Sequence, residues 1–315
     1  MINRIMTVGD SISQAFRVCR RDLKLLVSLL LVPTIFLVLG KAATTWGAHE
    51  YASLMKQGKV VTDCLVAFGT IGVGTLVTYF ALFWLLLRQL GYTRMILLGS
   101  DDLAAETKVV AGQKWKILAY IFFSIFSFFF WCFAMGLVLG VFIAAARVLH
   151  MPELLAGGFA LVMVFVTVVA LIAFLLPLVL MFIVVAVETP GFFATISRSY
   201  SMSFRNLFRV LGFFLLSYVA ITTVNLALLA PYQIFFLISF IKSWSSGADQ
   251  IASSPLLTMP LYLQMIAAAW QSCITIYLYP VYLLSAGNFY YSIRMKEEGV
   301  DMLKDIERLS EARSA

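Results

Sequence analysis

Between Asp63 and Arg88 the chain runs 24 residues without one charged side chain. Comparable runs extend from Ile117 to Ala146, Leu154 to Val187, Val210 to Ile241 and Gln250 to Ile293. A soluble fold cannot bury that much apolar surface. Each run is long enough as a helix to cross a hydrocarbon core, which takes about 20 apolar residues. A bilayer offers the backbone no hydrogen-bond partners, so a spanning segment is a helix or part of a closed barrel. Barrel strands would alternate in segments of about 10 residues. These runs are apolar on every face, so the expectation is an all-α, polytopic membrane helix bundle.

The 62% hydrophobic and 12% charged fractions agree with that class. The net charge of +7 does not point to nucleic acid, because the basic residues flank the apolar runs. Membrane lipids are therefore the expected partners. The four cysteines, Cys19, Cys64, Cys132 and Cys273, are too scattered for a zinc site or a disulfide framework. Cys132 and Cys273 fall inside apolar runs and read as small packing residues. Cys19 lies among Arg17, Arg20 and Arg21, a setting that acylation sometimes uses; a plain cysteine is the expectation.

Six spans are expected, over about 25–45, 64–87, 118–146, 155–187, 209–241 and 257–292. The first apolar stretch, Leu25–Gly40, is read as a retained helix rather than a signal peptide, with Lys41 snorkelling to the interface. The last is one long helix, kinked near Pro260 or Pro280. An even number of spans places both ends on one side. That side carries Arg4, Arg17, Arg20, Arg21 and Lys24 before the first span, and Arg88, Arg94, Lys108, Lys114 and Lys116 in the second connection. It also carries Arg198, Arg205 and Arg209 in the fourth connection, then five more in the tail. The other side has only Lys41, Lys56, Lys59, Arg147 and Lys242. Eighteen against five makes the richer side cytoplasmic by the positive-inside rule. The expected location is an inner, plasma membrane with both termini in the cytoplasm.

Three basic segments precede spans one, three and five: Ser11–Leu26, Leu103–Leu118 and Thr195–Val210. They align without gaps at a spacing of 92 residues, sharing Ser13 with Ser197, Arg21 with Arg205 and Leu23 with Leu207. Each reads as a short amphipathic helix in the cytoplasmic interface, leading into a hairpin of two spans. The transmembrane domain, residues 1–293, is then three such units. In the tail, 294–315, Val300, Leu303, Ile306 and Leu309 recur at threes and make one apolar stripe on a charged helix.

Gly136, Gly140 and Ala144 form a small-residue ridge on span three, and Thr70, Gly74 and Thr78 form another on span two. Small residues let helix backbones approach closely. Internal packing is the expectation for both, with homodimerisation the functional alternative. No ionisable residue is expected near the middle of a span, which speaks against a proton relay. The buried polar groups are neutral: Asn225 and Gln233 on span five, Gln264, Gln271 and Thr275 on span six. The last three and Ala268 share one helical face. That face either lines a polar cavity or bonds between helices, and the second is favoured. Head-group contacts are expected at Arg17, Arg20, Arg21, Lys24, Lys114, Lys116, Arg205 and Arg209, each adding about 1 kcal/mol near an anionic surface.

Enzyme motifs are missing: the sequence has no HExxH, P-loop, GxGxxG or GxSxG. His49 and His150 stand apart, and the Asp101–Asp102 pair reads as a solvated loop. No catalytic residue, metal or cofactor is expected.

Two stretches carry a family likeness. Tyr290–Asp301 (YYSIRMKEEGVD) resembles the signature closing the last span of the membrane domain attached to some bacterial glycerophosphoryl diester phosphodiesterases, shared by stand-alone relatives of unknown function. Ser197–Leu215 (SRSYSMSFRNLFRVLGFFL) and Ser13–Leu26 (SQAFRVCRRDLKLL) resemble the family's recurrent amphipathic stretch before a span. The resemblance implies six helices with interfacial segments in a bacterial inner membrane. Nothing here matches the catalytic domain, so the esterase activity does not follow. The expected role is non-enzymatic, in envelope or lipid upkeep; the alternative is a transporter or channel for a neutral or amphiphilic solute.

Overall fold

Three one-residue joints organise the chain. In a computed structural model, residues 7–57, 64–148, 153–245 and 260–314 are described, and their regular structure is helical. The short helix α1 (Val8–Arg21) meets the long helix α2 (Leu23–Lys56) across Asp22. Helix α3 (Leu65–Leu98) returns. Then α4 (Leu103–Gly112) meets α5 (Lys114–Val148) across Gln113, and α6 (Glu153–Glu188) follows. Finally α7 (Phe192–Arg205) meets α8 (Leu207–Ser245) across Asn206, and α9 (Leu261–Ser314) follows.

The joints share one geometry. Asp22, Gln113 and Asn206 have φ/ψ of −95/19, −100/11 and −119/32, near the bridge region. At each, the carbonyl accepts from the amide four residues on: Leu26 at 2.9 Å, Ile117 at 3.0 Å and Val210 at 2.9 Å. Those three residues are fully buried. A bend that keeps its first hydrogen bond turns the axis without orphaning a helix terminus. The basic segments read from the sequence are thus each a helix, a joint and the first turn of the next helix. Lys114 and Lys116 belong to α5, not to the short helix before it.

Five helical stretches are long and apolar enough to cross a membrane: Leu23–Met55, Leu65–Leu98, Lys114–Phe142, Leu207–Ile234 and Leu261–Glu297. They present large apolar side chains outward. Leu76 is 71% exposed and Phe133 69%, a surface that water would not tolerate at this density but lipid does. Several helices outrun the expected spans. Helix α2 continues through Lys56 rather than ending near 45, and α3 continues to Leu98. Helix α3 stops at Gly99, whose φ of +67 lets the Ser100 amide reach the Met95 carbonyl at 3.1 Å. Pro260 does not kink a helix: it precedes α9, and its carbonyl accepts from Leu263 and Gln264. Pro280 lies inside α9. The tail is no separate element, since α9 runs through it to Ser314. The side chains of Val300, Leu303, Ile306 and Leu309, and His150 altogether, lie outside the described residues.

The helices group into two units. The first comprises Met1–Ser11, Arg94–Leu216 and Ala286–Ala315; the second comprises Ile12–Thr93 and Ser217–Ser285. In the first, α5 packs on α6 and α6 on α7. There α8 meets α9 through Phe213 stacked on Phe289 at 4.3 Å, and Arg209 donates to Ser292 at 3.1 Å. In the second, α2 and α3 meet at glycines. A Cβ on Gly40 would stand 2.7 Å from the Thr78 amide nitrogen, and one on Gly47 3.0 Å from the Ala67 carbonyl. Thr44 and Thr78 bond back to the Gly40 and Gly74 carbonyls at 2.9 and 2.8 Å, so their hydroxyls are satisfied within the seam.

The two small-residue ridges therefore part company. Gly74 and Thr78 pack as expected, while Thr70 is half-buried and its hydroxyl donates to the Val66 carbonyl at 2.9 Å. Gly136, Gly140 and Ala144 are exposed, and a Cβ on either glycine would meet nothing within 4 Å. Among the described residues nothing packs closely on that ridge. Cys132 and Cys273 are likewise exposed rather than packed, whereas Cys19 and Cys64 are buried.

Candidate functional site

A cleft opens in the second unit, lined by α2, α8 and α9, its walls mostly apolar with several polar side chains among them. Its volume is about 710 Å³. Three of the amides singled out in the sequence line it: Gln233 from α8, and Gln264 and Gln271 from α9. The i, i+7 spacing of the two α9 amides puts them two turns apart on one face. Tyr232 of α8 joins them, and α2 supplies Lys41, Thr44, Thr45 and His49. Lys41 and Thr44 also line a neighbouring cleft of about 280 Å³ with Thr75, Thr78 and Tyr79 of α3.

Two readings of the sequence meet at this cleft. Gln264 and Gln271 of α9 line it. Lys41 is half-buried there, inside α2, which runs on to Lys56. It lies 17 residues beyond Lys24, or about 25 Å along the axis at 1.5 Å per residue. Two other expected residues stand apart. Asn225 does not line the cleft, and its Oδ1 is buried without a partner among the described residues. Thr275 donates to the Gln271 carbonyl at 2.9 Å, one turn from the cleft.

Chemically the cleft offers an ammonium, an imidazole, three amides, and phenol and threonine hydroxyls; its described lining includes no carboxylate. Such a set neutralises one negative charge and donates to ester or hydroxyl oxygens. Among the described residues no cluster of His, Cys, Asp or Glu could hold a metal ion. Sequence reasoning assigned none of Lys41, His49 and Tyr232 to a site. The signal was a lysine within a segment otherwise fit to cross a membrane, which by itself marks a site.

The first unit holds a different constellation, built on the C-terminal end of α6. That end carries the negative pole of the helix and carbonyls without helical partners. Arg94 of α3 donates to the Ala186 carbonyl at 2.5 Å and the Val187 carbonyl at 2.9 Å, and to Glu106 of α4 at 2.6 Å. Lys116 reaches the Pro190 carbonyl at 3.2 Å, and Tyr120 the Phe192 carbonyl at 3.3 Å. The chain leaves α6 through Thr189, held at φ 54. Glu188 is the hub: Arg198 pairs with it at 2.9 Å, Arg294 at 3.2 Å, and the Tyr290 hydroxyl donates to it. Asn206, the third joint, donates to Glu297 at 2.9 Å. Beside this network a cleft of about 530 Å³ is lined by Arg198, Arg205 and Arg294, with Ser197 and Ser201.

The expected head-group residues divide accordingly. Arg17, Arg20, Arg21, Lys24, Lys114 and Arg205 are exposed. Lys116 and Arg209 are instead committed within the protein, Lys116 to a carbonyl and Arg209 to Ser292 and the Phe289 ring. Asp102 is not merely solvated, since its side chain caps α4 by accepting from Ala105 at 3.0 Å. At the first joint, Arg21 and Tyr92 both donate to Asp22, at 2.8 and 3.1 Å. The arginine chiefly, and then the tyrosine, hold that carboxyl below its usual range. Burial, reinforced by Asp22, pushes the neighbouring Cys19 thiol up to about 12.

Comparison with family models, curated proteins and solved structures finds no match.

Proposed function

We propose that this chain is a non-catalytic, multi-pass protein of a bacterial inner membrane that holds the polar head of an amphiphile in the Lys41 cleft. One observation carries the reading: an ammonium, an imidazole and three amides surround open volume in helices whose outer faces are apolar. Desolvating a lysine is costly, so an embedded lysine beside a cleft favours an anionic or zwitterionic occupant. A site of amides, hydroxyls and one ammonium suits recognition of a polar head. Lipid homeostasis is the role such a holder serves, and the likeness of Tyr290–Asp301 to a phosphodiesterase membrane domain supports that setting.

In this reading α6 is the fourth of six spans, added to the five long apolar stretches, and the three joints mark three repeated units. Their matching backbone angles and matching buried residues support the repeat. The basic face then lies against the cytoplasmic leaflet.

Native mass spectrometry of the protein from membrane extracts tests the reading. The wild type should retain phospholipid or another amphiphile. Lys41→Met and the double variant Gln264→Leu/Gln271→Leu should lose it while unfolding at the same temperature. Equal retention by all three would remove the cleft from consideration. Flux of the retained amphiphile across proteoliposomes separates a carrier from a holder.

A further inference from the structure

We propose that the cleft between α7 and α9 in the first unit binds a phosphate group. It is distinct from the Lys41 cleft and stands without it. The argument begins with spacing. Ser197, Arg198, Ser201 and Arg205 fall at i, i+1, i+4 and i+8 on α7, one side of a single helix. Serines at two of these positions leave room between the arginines and present hydroxyls of their own. Helix α9 brings Arg294 to the same cleft. Three guanidinium groups therefore border about 530 Å³, enough for a phosphate with part of the group it esterifies.

Carboxylates are present too, but they are shared and engaged. Glu188 receives both Arg198 and Arg294 and also the Tyr290 hydroxyl. Glu297 receives the Asn206 amide. A guanidinium has five N–H donors, more than the single Glu188 oxygen occupies on Arg198 or Arg294. The shared glutamate fixes the two forks in place and so lowers the ordering cost of binding. Arg205 has no ion-pair partner among the described residues and is exposed at the cleft. The lining is net positive, and paired guanidinium forks match phosphate geometry better than ammonium groups do.

The phosphate could belong to a lipid head group or to a soluble ester, and the experiment separates them. The full-length protein, exchanged into phosphate-free detergent, is titrated with inorganic phosphate by calorimetry. In parallel it is placed in nanodiscs of phosphatidylcholine with and without phosphatidic acid, and its unfolding temperature is read. Saturable binding of inorganic phosphate supports the site with a soluble source. Stabilisation only by phosphatidic acid supports it with a lipid source. In either arm Arg205→Gln should weaken binding at least tenfold, or abolish the stabilisation, because it removes a cleft guanidinium and spares the Glu188 network. Lys41→Met should leave both arms unchanged. No response in either arm, or the same response from Arg205→Gln, overturns the proposal.

Discussion

A Cβ atom on Gly74 would stand 2.8 Å from the carbonyl oxygen of Gly40, so α2 and α3 touch backbone to backbone at these two residues. The same atom would lie 2.7 Å from the Thr44 amide nitrogen, which cannot move without shifting the helix. Close approach of this kind gains dispersion contacts where lipid gives no hydrophobic drive.

Gly74→Ala should therefore force the helices apart and cost about 1–3 kcal/mol, the usual range for overpacking. Gly136→Ala, made where nothing lies within 4 Å, should be neutral or slightly stabilising. Thermal unfolding in detergent micelles checks the pair. Equal effects at the two sites would mean that the seam does not restrain the protein.

Arg94 serves three acceptors on two helices, α4 and α6, and its side chain and that of Glu106 are only 14% and 15% exposed. Arg94→Ala should strand Glu106 and uncap α6, costing about 3 kcal/mol, the lower end for breaking a buried pair. Arg94→Lys should recover little, because one ammonium cannot reproduce the fork. Chemical denaturation in mixed micelles gives the measurement; full recovery by lysine would contradict the geometry.

The Asp22 carboxyl is held below its usual range by Arg21 first and Tyr92 second. A depressed carboxyl stabilises the folded state above its unfolded pKa of about 4, and that stability is lost as pH falls through the folded value. The gap in unfolding temperature between wild type and Asp22→Asn should thus be constant near neutrality and close under more acid conditions. Arg21 is 72% exposed, so the gap should be small and should shrink with salt. A gap that widens on acidification would refute the assignment.

Topology is open to direct test. Reporter fusions after Ser100, Phe192 and Val300 should read cytoplasmic, and fusions near Met55, His150 and Gly247 should not. A single reversed site would break the six-span reading, and the fusion near His150 bears most directly on α6.

Much of the fold was legible in the residues. Charge-free runs mark the long helices because each charge removed from water raises the cost of a crossing. The three basic segments marked the places where short helices meet long ones. Their joints could not be assigned to single residues, because Asp22, Gln113 and Asn206 adopt one backbone geometry with three different side chains. The glycine ridges show the same limit. Gly74 and Gly136 sit in like patterns, yet one meets a helix and the other meets nothing within 4 Å among the described residues. A small side chain permits approach, and only a partner makes it happen.

The sequence alone determined an apolar, helical chain with cations massed beside alternate connections, since transfer energies and backbone hydrogen bonding admit no other class. Tertiary structure decided which polar groups share a space. Lys41, Gln233 and Gln271 lie on three helices separated by up to 230 positions, and Glu188 gathers Arg198 and Arg294 across 106. No local pattern encodes such meetings, because they depend on how whole helices pack against one another.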